Sequence, residues 1–179
     1  ELTLVFDHHT KHELASYLVG RANALNVAAA IAAVYVLGID TETFAEGLAR
    51  LERLPGNYDY LETEAPYMVV ADRAEQPESV GLVVDTAREL TSRRLIVVCS
   101  EATSHDGAID SIRAQADRVI AVGRGNDRAG VEYVDSEAEA VNVALRGARK
   151  GDTVLLLGAS YGATHDGVLH AQTLVEESK

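Results

Sequence analysis

The chain has 179 residues, 47% hydrophobic and 25% charged, which gives room for one substantial core, or a core with a smaller appendage. Its formal net charge of −12 excludes the basic surface that nucleic acid or an anionic membrane requires. Cys99 is the only cysteine, so an intrachain disulfide and a cysteine zinc cluster are excluded, and a reducing, cytoplasmic setting fits.

The sequence opens inside an alternating apolar run and reads as a piece cut from a longer polypeptide. Leu2-Thr3-Leu4-Val5-Phe6 is β-branched and apolar and predicts a strand. Two helices are expected next, about 24–37 and 41–53, the second with Phe44, Leu48, Leu51 and Leu54 at helical spacing. Asn26 suits the N-cap of the first, with Asn23 one turn earlier and its amide free for another partner, and Gly38 suits a left-handed C-terminal cap. The apolar stretch 27–37 is too short to cross a bilayer, and no signal peptide pattern is visible. Pro55-Gly56-Asn57 then breaks the pattern and marks a domain boundary, giving domains of 1–54 and 55–179.

Beyond the break the rhythm becomes strand, helix, strand. Strands are predicted at 67–71, 95–99, 118–122, 131–134 and 153–157. Helices are predicted at 77–90, opened by Pro77, near 107–116, from the capping box Ser136-Glu137-Ala138-Glu139 to Arg149, where Gly151 stops it, and near 167–177. Continuous apolar strands alternating with amphipathic helices imply a Rossmann-like α/β domain: a mostly parallel sheet with helices on both faces, preceded by a helical segment. Ligands of such sheets gather at the carboxyl ends of the strands, here loops 72–77, 100–106, 123–130 and 158–166.

Three motifs suggest metal or cofactor chemistry, each with a plainer reading beside it. Ser104-His105-Asp106-Gly107 and Thr164-His165-Asp166-Gly167 both follow strands and precede helices. His105, Asp106, His165 and Asp166 would make a metal or phosphate site if their strands are neighbours; helix-start chemistry is the simpler reading. Asp7-His8-His9 resembles the Asp-His-His of a family of manganese phosphoesterases, and His8 with His12 would share a helix face, but the further aspartates and histidines of that chemistry are not found and a solvated turn suffices. Gly123-Arg124-Gly125 holds only two glycines of a dinucleotide fingerprint and fails as one. No metal site is therefore assigned.

The stretch from Gly20 carries the strongest signal. Gly20-x-x-Asn23-x-x-Asn26-x-x-Ala29-Ala30 resembles the Gly-x-x-Asn-x-x-Asn-x-x-Ala-Ala signature of the Mur ligases, ATP-dependent enzymes that add amino acids in peptidoglycan synthesis. Asp72-Arg73-Ala74-Glu75-Gln76-Pro77-Glu78-Ser79 resembles the Asp-Tyr-Ala-His-x-Pro-Asp-Ser that opens their C-terminal domain, with Arg73, Glu75 and Glu78 as departures. Leu54-Pro55-Gly56-Asn57 stands where the family has a Pro-Gly-Arg hinge whose arginine reaches toward the nucleotide. The diaminopimelate-reading Asp-Asn-Pro-Arg is absent, the closing Gly-Lys-Gly-His-Glu is replaced by Gly158-Ala159-Ser160-Tyr161-Gly162, and no Gly-x-x-x-x-Gly-Lys-Ser/Thr phosphate loop occurs.

The resemblance is nearest to the UDP-N-acetylmuramoyl-tripeptide synthetase type. It implies that 1–54 is the tail of the central domain and 55–179 the C-terminal domain of a cytoplasmic carboxylate–amine ligase, which takes an amine and a UDP-linked carboxylate and uses ATP and Mg2+ in its full length. The fragment alone, without the phosphate loop, is expected to be inactive and to hold no cofactor tightly. The resemblance implies Asn23 and Asn26 near adenine, Asp72 near ribose, and Arg73, Glu75 and the two His-Asp loops around the substrates. Asp72 has the alternative role of a helix-entry cap, and no catalytic residue is assigned. The lost motifs also admit a degenerate binding or regulatory domain without ligase activity.

Overall fold

The computed structural model describes residues 2–6, 10–104, 106–123 and 128–158. The chain divides into two compact units, residues 1–54 and 55–179.

In the first unit, β1 (Leu2–Phe6) and β2 (Thr10–Leu14) form an antiparallel hairpin, Leu2 opposite Leu14 and Phe6 opposite Thr10. Thr10-Lys11-His12-Glu13 lacks a strand's apolar alternation, so β2 was not predicted; pairing with β1 overrides its weak local preference. His12 therefore lies on a strand opposite Leu4, which overturns a shared helix face with His8, itself outside the described residues. Helix α1 (Arg21–Val36) starts earlier than expected. Gly20, at φ 94°, is its N-cap, and Asn26 lies inside the helix rather than capping it. The alanine-rich sequence propagates helix back to Arg21, where the Asn23 amide ties the first turn by donating to Val19 O at 2.8 Å. Gly38, at φ 71°, ends the helix in the left-handed conformation, and Leu37, Gly38 and Ile39 donate back to Ala33, Tyr35 and Val34. Asp40 caps α2 (Thr41–Arg50) through Thr43 N–H. That helix stops three residues short of the prediction, with Leu51 already in extended geometry. Leu14, Val27, Ile31 and Leu48 form the small core.

The second unit is one six-stranded sheet in the order β3-β4-β8-β5-β6-β7. Its strands are β3 (Asp59–Tyr60), β4 (Met68–Asp72), β5 (Leu95–Cys99), β6 (Arg118–Val122), β7 (Val131–Val134) and β8 (Thr153–Leu157). The five longer strands are parallel, and short β3 closes the edge antiparallel to β4. Successive residues point to opposite faces. Val69, Ile96, Val98, Ile120 and Leu156 meet Ala140, Val141 and Ala144 of α5 (Glu137–Gly147). The alternate set, including Val97 and Leu155, faces away from α5 toward α3 (Pro77–Leu90) and α4 (Asp106–Arg113), which pack on each other. All five residues of β5 and of β8 are buried, as two-sided coverage demands.

Two helix ends move. Helix α4 closes at Arg113, and α5 closes at Gly147 because the Asp152 carboxylate accepts the Arg149 N–H at 2.8 Å, while Gly151, at φ 85°, belongs to the turn into β8. The helix expected near 167–177 lies outside the described residues. The start of α5 follows its prediction: Ser136 Oγ accepts Glu139 N–H at 3.2 Å, and Glu139 reaches back to Asp135 N–H. Ser136→Ala should therefore cost about 1 kcal/mol, read as a lowered midpoint in urea unfolding with an unchanged slope.

Candidate functional site at the carboxyl edge of the sheet

The carboxyl ends of the parallel strands share one edge, where four loops depart and no strand hydrogen bonds remain to satisfy their backbones. Asp72 is the last residue of β4, one place deeper than predicted, and it is 6% exposed. Its Oδ1 accepts Ala74 N–H at 2.8 Å and its Oδ2 accepts Tyr58 N–H at 2.7 Å. It does not cap α3, whose N-cap is Gln76. Burial raises the Asp72 carboxyl above its ordinary value, opposed by the Ala74 and Tyr58 N–H groups and the nearby Arg73 charge.

The turn entering this unit is joined to the same point. Gly56 (φ 74°) and Tyr58 (φ 51°) are both left-handed, and Tyr58 is the one non-glycine so found among the described residues. A bulky residue there costs about 1–3 kcal/mol and persists only when held. The Asp72 bond holds it, with Arg73 N–H donating to Gly56 O at 3.1 Å and the buried Tyr58 ring edge-on to Tyr60, centroids 5.7 Å apart. Burial pushes the Tyr58 phenol well above its usual range, so it stays protonated.

The neighbouring ends are locked by hydroxyls. Ser100 Oγ and Thr103 Oγ1 lie 3.1 Å apart, and Ser104 Oγ donates to Ser100 O at 2.7 Å and lies 3.1 Å from Val122 O. Gly158, at φ 130°, donates its N–H to Asp72 O. A Cβ on Gly158 would lie 2.0 Å from Ser100 Oγ. The β4, β8 and β5 ends thus form one connected polar layer. Sequence reasoning missed Tyr58, Ser100, Thr103 and Ser104; the available signal was small hydroxyl residues directly after a fully apolar strand. Cys99, beneath this layer, is a buried thiol pushed up to about 12, too weak an acid to serve as a nucleophile.

Arg73 is exposed and Glu75 half-buried on the loop after β4. Strands β5 and β8, which precede the two His-Asp motifs, are neighbours. His105, His165 and Asp166, and the Asp106 side chain, lie outside the described residues, as do 124–127. No group of three metal-ligating side chains occurs among the described residues. Asn23 and Asn26 belong to the first unit. Asn23 is buried, whereas Asn26 is exposed and borders an apolar cavity of about 360 Å3 between α1 and α2, lined by Leu18, Val27, Phe44, Leu48 and Leu51 among others. No described helix is long and apolar enough to cross a membrane.

An open parallel sheet, covered by helices on both faces and with its polar constellation at the carboxyl edge, defines a Rossmann-like α/β class. Residues 50–160 match the family model described as "Mur ligase, glutamate ligase domain", and the chain belongs to the Mur ligase family, of which this is the C-terminal domain. It is 28% identical over 171 residues to UDP-N-acetylmuramoyl-L-alanyl-D-glutamate–2,6-diaminopimelate ligase of Solibacter usitatus, covering 82% of this chain and 34% of that protein. The chain therefore spans about a third of that relative. Among solved structures, a pseudomurein peptide ligase type C from Methanothermus fervidus superposes with a TM-score of 0.72 at 23% identity, over 99% of this chain and 40% of the other. E. coli FolC, solved in complex with ADP, gives 0.71 at 22% identity over 98% and 46%. Both show the shared fold.

Proposed function

We propose that this chain is the C-terminal portion of a cytoplasmic, ATP-dependent carboxylate–amine ligase of peptidoglycan precursor synthesis. The observation that carries the reading is the match of residues 50–160 to the ligase family's own domain. Residues 1–54 would be the tail of a central domain, and 55–179 the domain that closes over the substrates. The apolar residues of α1 support this: Leu25, Tyr35 and Val36 are exposed although Val27 and Ile31 face the core, so apolar side chains spread around much of its circumference, a pattern that calls for cover.

When bound, ATP with Mg2+ supplies the phosphoryl group that activates a UDP-linked carboxylate for attack by an amine, yielding an amide, ADP and phosphate. The chain's own contribution is binding and exclusion of water as the domain closes. Asn26, which borders an apolar cavity of about 360 Å3, would lie near the adenine base. Asn23 would act behind Asn26, since its amide already holds Val19 O. Asp72 keeps unused lone pairs on both oxygens and would receive a ribose hydroxyl at the sheet edge. Glu75 and the His105-Asp106 and His165-Asp166 loops would surround the amine and the acceptor.

Calorimetry on the full-length polypeptide tests this. Asp72→Ala should weaken Mg-ATP binding roughly tenfold, the worth of one hydrogen bond to a charged group. An unchanged affinity would remove Asp72 from the nucleotide site. The second reading, a degenerate binding or regulatory domain, is favoured by Asn57 standing where the family's hinge carries arginine. It would prevail if the full-length protein formed no amide with any wall precursor.

A further inference from the structure

The geometry points to Arg73 as a residue of this domain that contacts the phosphates of the nucleotide. This deepens the ligase reading and rests on it. Two described cations lie on the loops that leave the carboxyl ends of the strands, Arg73 after β4 and Arg128 after β6, and Arg128 pairs with Asp110 at 3.7 Å. The other arginines of the unit gather at the opposite edge or on outer surfaces. There Arg88, Arg94 and Arg118 are paired with Asp117, Asp152 and Glu132. The guanidinium of Arg73 makes no hydrogen bond or ion pair among the described residues, and its side chain is exposed. Beyond its charge acting on the adjacent Asp72 carboxylate, the guanidinium has no internal task and is free to serve an external one.

The surroundings make that cation necessary. Glu78, Glu101 and Asp135 are exposed carboxylates on the loops and helix start of the same edge. They repel a polyanion, so a triphosphate settles there only against positive charge. Arginine suits the task, since its planar fork pairs bidentately with phosphate oxygens and stays charged at every relevant pH.

The backbone beneath Arg73 is also fixed on three sides. Its own N–H donates to Gly56 O at 3.1 Å, while the preceding carboxylate takes the N–H groups of Tyr58 at 2.7 Å and Ala74 at 2.8 Å. That clamp places Cα of Arg73 against residues 56–58, directly beside Asn57. Preorganisation of this kind reduces the ordering cost of binding. The strained, left-handed Tyr58 thereby acquires a use: the turn that carries it forms the seat for the arginine.

The test compares Mg-ATP with adenosine by calorimetry on the full-length protein and on Arg73→Ala, Arg73→Gln and Arg73→Lys. Phosphate recognition predicts that Arg73→Ala and Arg73→Gln weaken Mg-ATP roughly ten- to hundredfold and leave adenosine within about twofold, with Arg73→Lys between the two and wild type. Equal Mg-ATP affinity in wild type and Arg73→Ala overturns the assignment and leaves the ligase reading standing. Parallel loss of ATP and adenosine also overturns it, because Arg73 would then act on the fold or the base. If wild type binds neither compound, the nucleotide reading itself fails, and this inference with it. Arg73 is exposed, so its variants should unfold at the wild-type urea midpoint.

Discussion

Gly158→Ala should cost about 3–5 kcal/mol, much of the stability of an ordinary domain. Two independent penalties meet at this residue. Its φ of 130° lies where residues with a side chain are strained, and the new Cβ would sit 2.0 Å from Ser100 Oγ, 2.6 Å from Ser100 Cβ and 3.0 Å from Thr103 Oγ1. Ser100 and Thr103 cannot swing aside, since both are buried and their hydroxyls bond each other. Chemical denaturation of the single variant should show a much lowered midpoint. Ser100→Gly placed on top of Gly158→Ala removes the two closest clashes and leaves the backbone strain, so the double variant should be more stable than the sum of the two single losses predicts. A double-mutant cycle reads that coupling directly. If Gly158→Ala unfolds at the wild-type midpoint, the close approach of the β8 and β5 ends is wrong.

The same contact shows what sequence could and could not reveal. Leu95-Ile96-Val97-Val98-Cys99 and Thr153-Val154-Leu155-Leu156-Leu157 are readable as buried strands because every position must be apolar when both faces are covered. Their adjacency is not readable. The last described strand inserts between β4 and β5, a placement set by the return of α5 across one face rather than by any local signal. So the seat of Gly158 on Ser100, 58 residues away in the chain, lies beyond periodicity. The miss at Asn26 is different in kind. Asparagine favours caps, but an alanine-rich segment gains a bond for each residue added, and the helix ran on to a glycine. Strand β3 was missed because two residues, Asp59 and Tyr60, carry no period at all. The motif drew attention to Asp72 and Arg73, but the clamp on Tyr58 was not readable: a carboxylate that reaches back 14 residues to a backbone N–H leaves no mark in composition.

Asp152→Ala should destabilise the second unit by about 2–3 kcal/mol through the opposite edge of the sheet. The Asp152 side chain is fully inaccessible, yet its carboxylate gathers Arg94 Nη2 at 2.5 Å, Arg94 Nε at 3.2 Å, and the Arg149 and Arg94 backbone N–H groups at 2.8 and 3.3 Å. Truncation leaves those donors facing a void between the turns that start β5 and β8. Arg94 is partly exposed and can rehydrate, which keeps the loss below that of a wholly buried pair. Burial pushes the Asp152 carboxyl up, but Arg94 and the two backbone donors outweigh it and hold the carboxyl below its ordinary 3.8. A carboxylate lowered on folding adds stability that is complete above its unfolded value and is lost as pH falls through the folded one. Asp117, held down by Leu95 N–H and Arg88, adds to the same acid limb. Asp72 works in the reverse sense: its carboxyl is raised, so stability declines as pH climbs from 3.8 toward the folded value. Urea midpoints measured downward from neutrality should therefore fall below about pH 4, and that fall should be shallower in Asp152→Asn, which cannot titrate. An acid limb of wild-type steepness in Asp152→Asn would mean that this ion pair does not govern the acid unfolding of the domain.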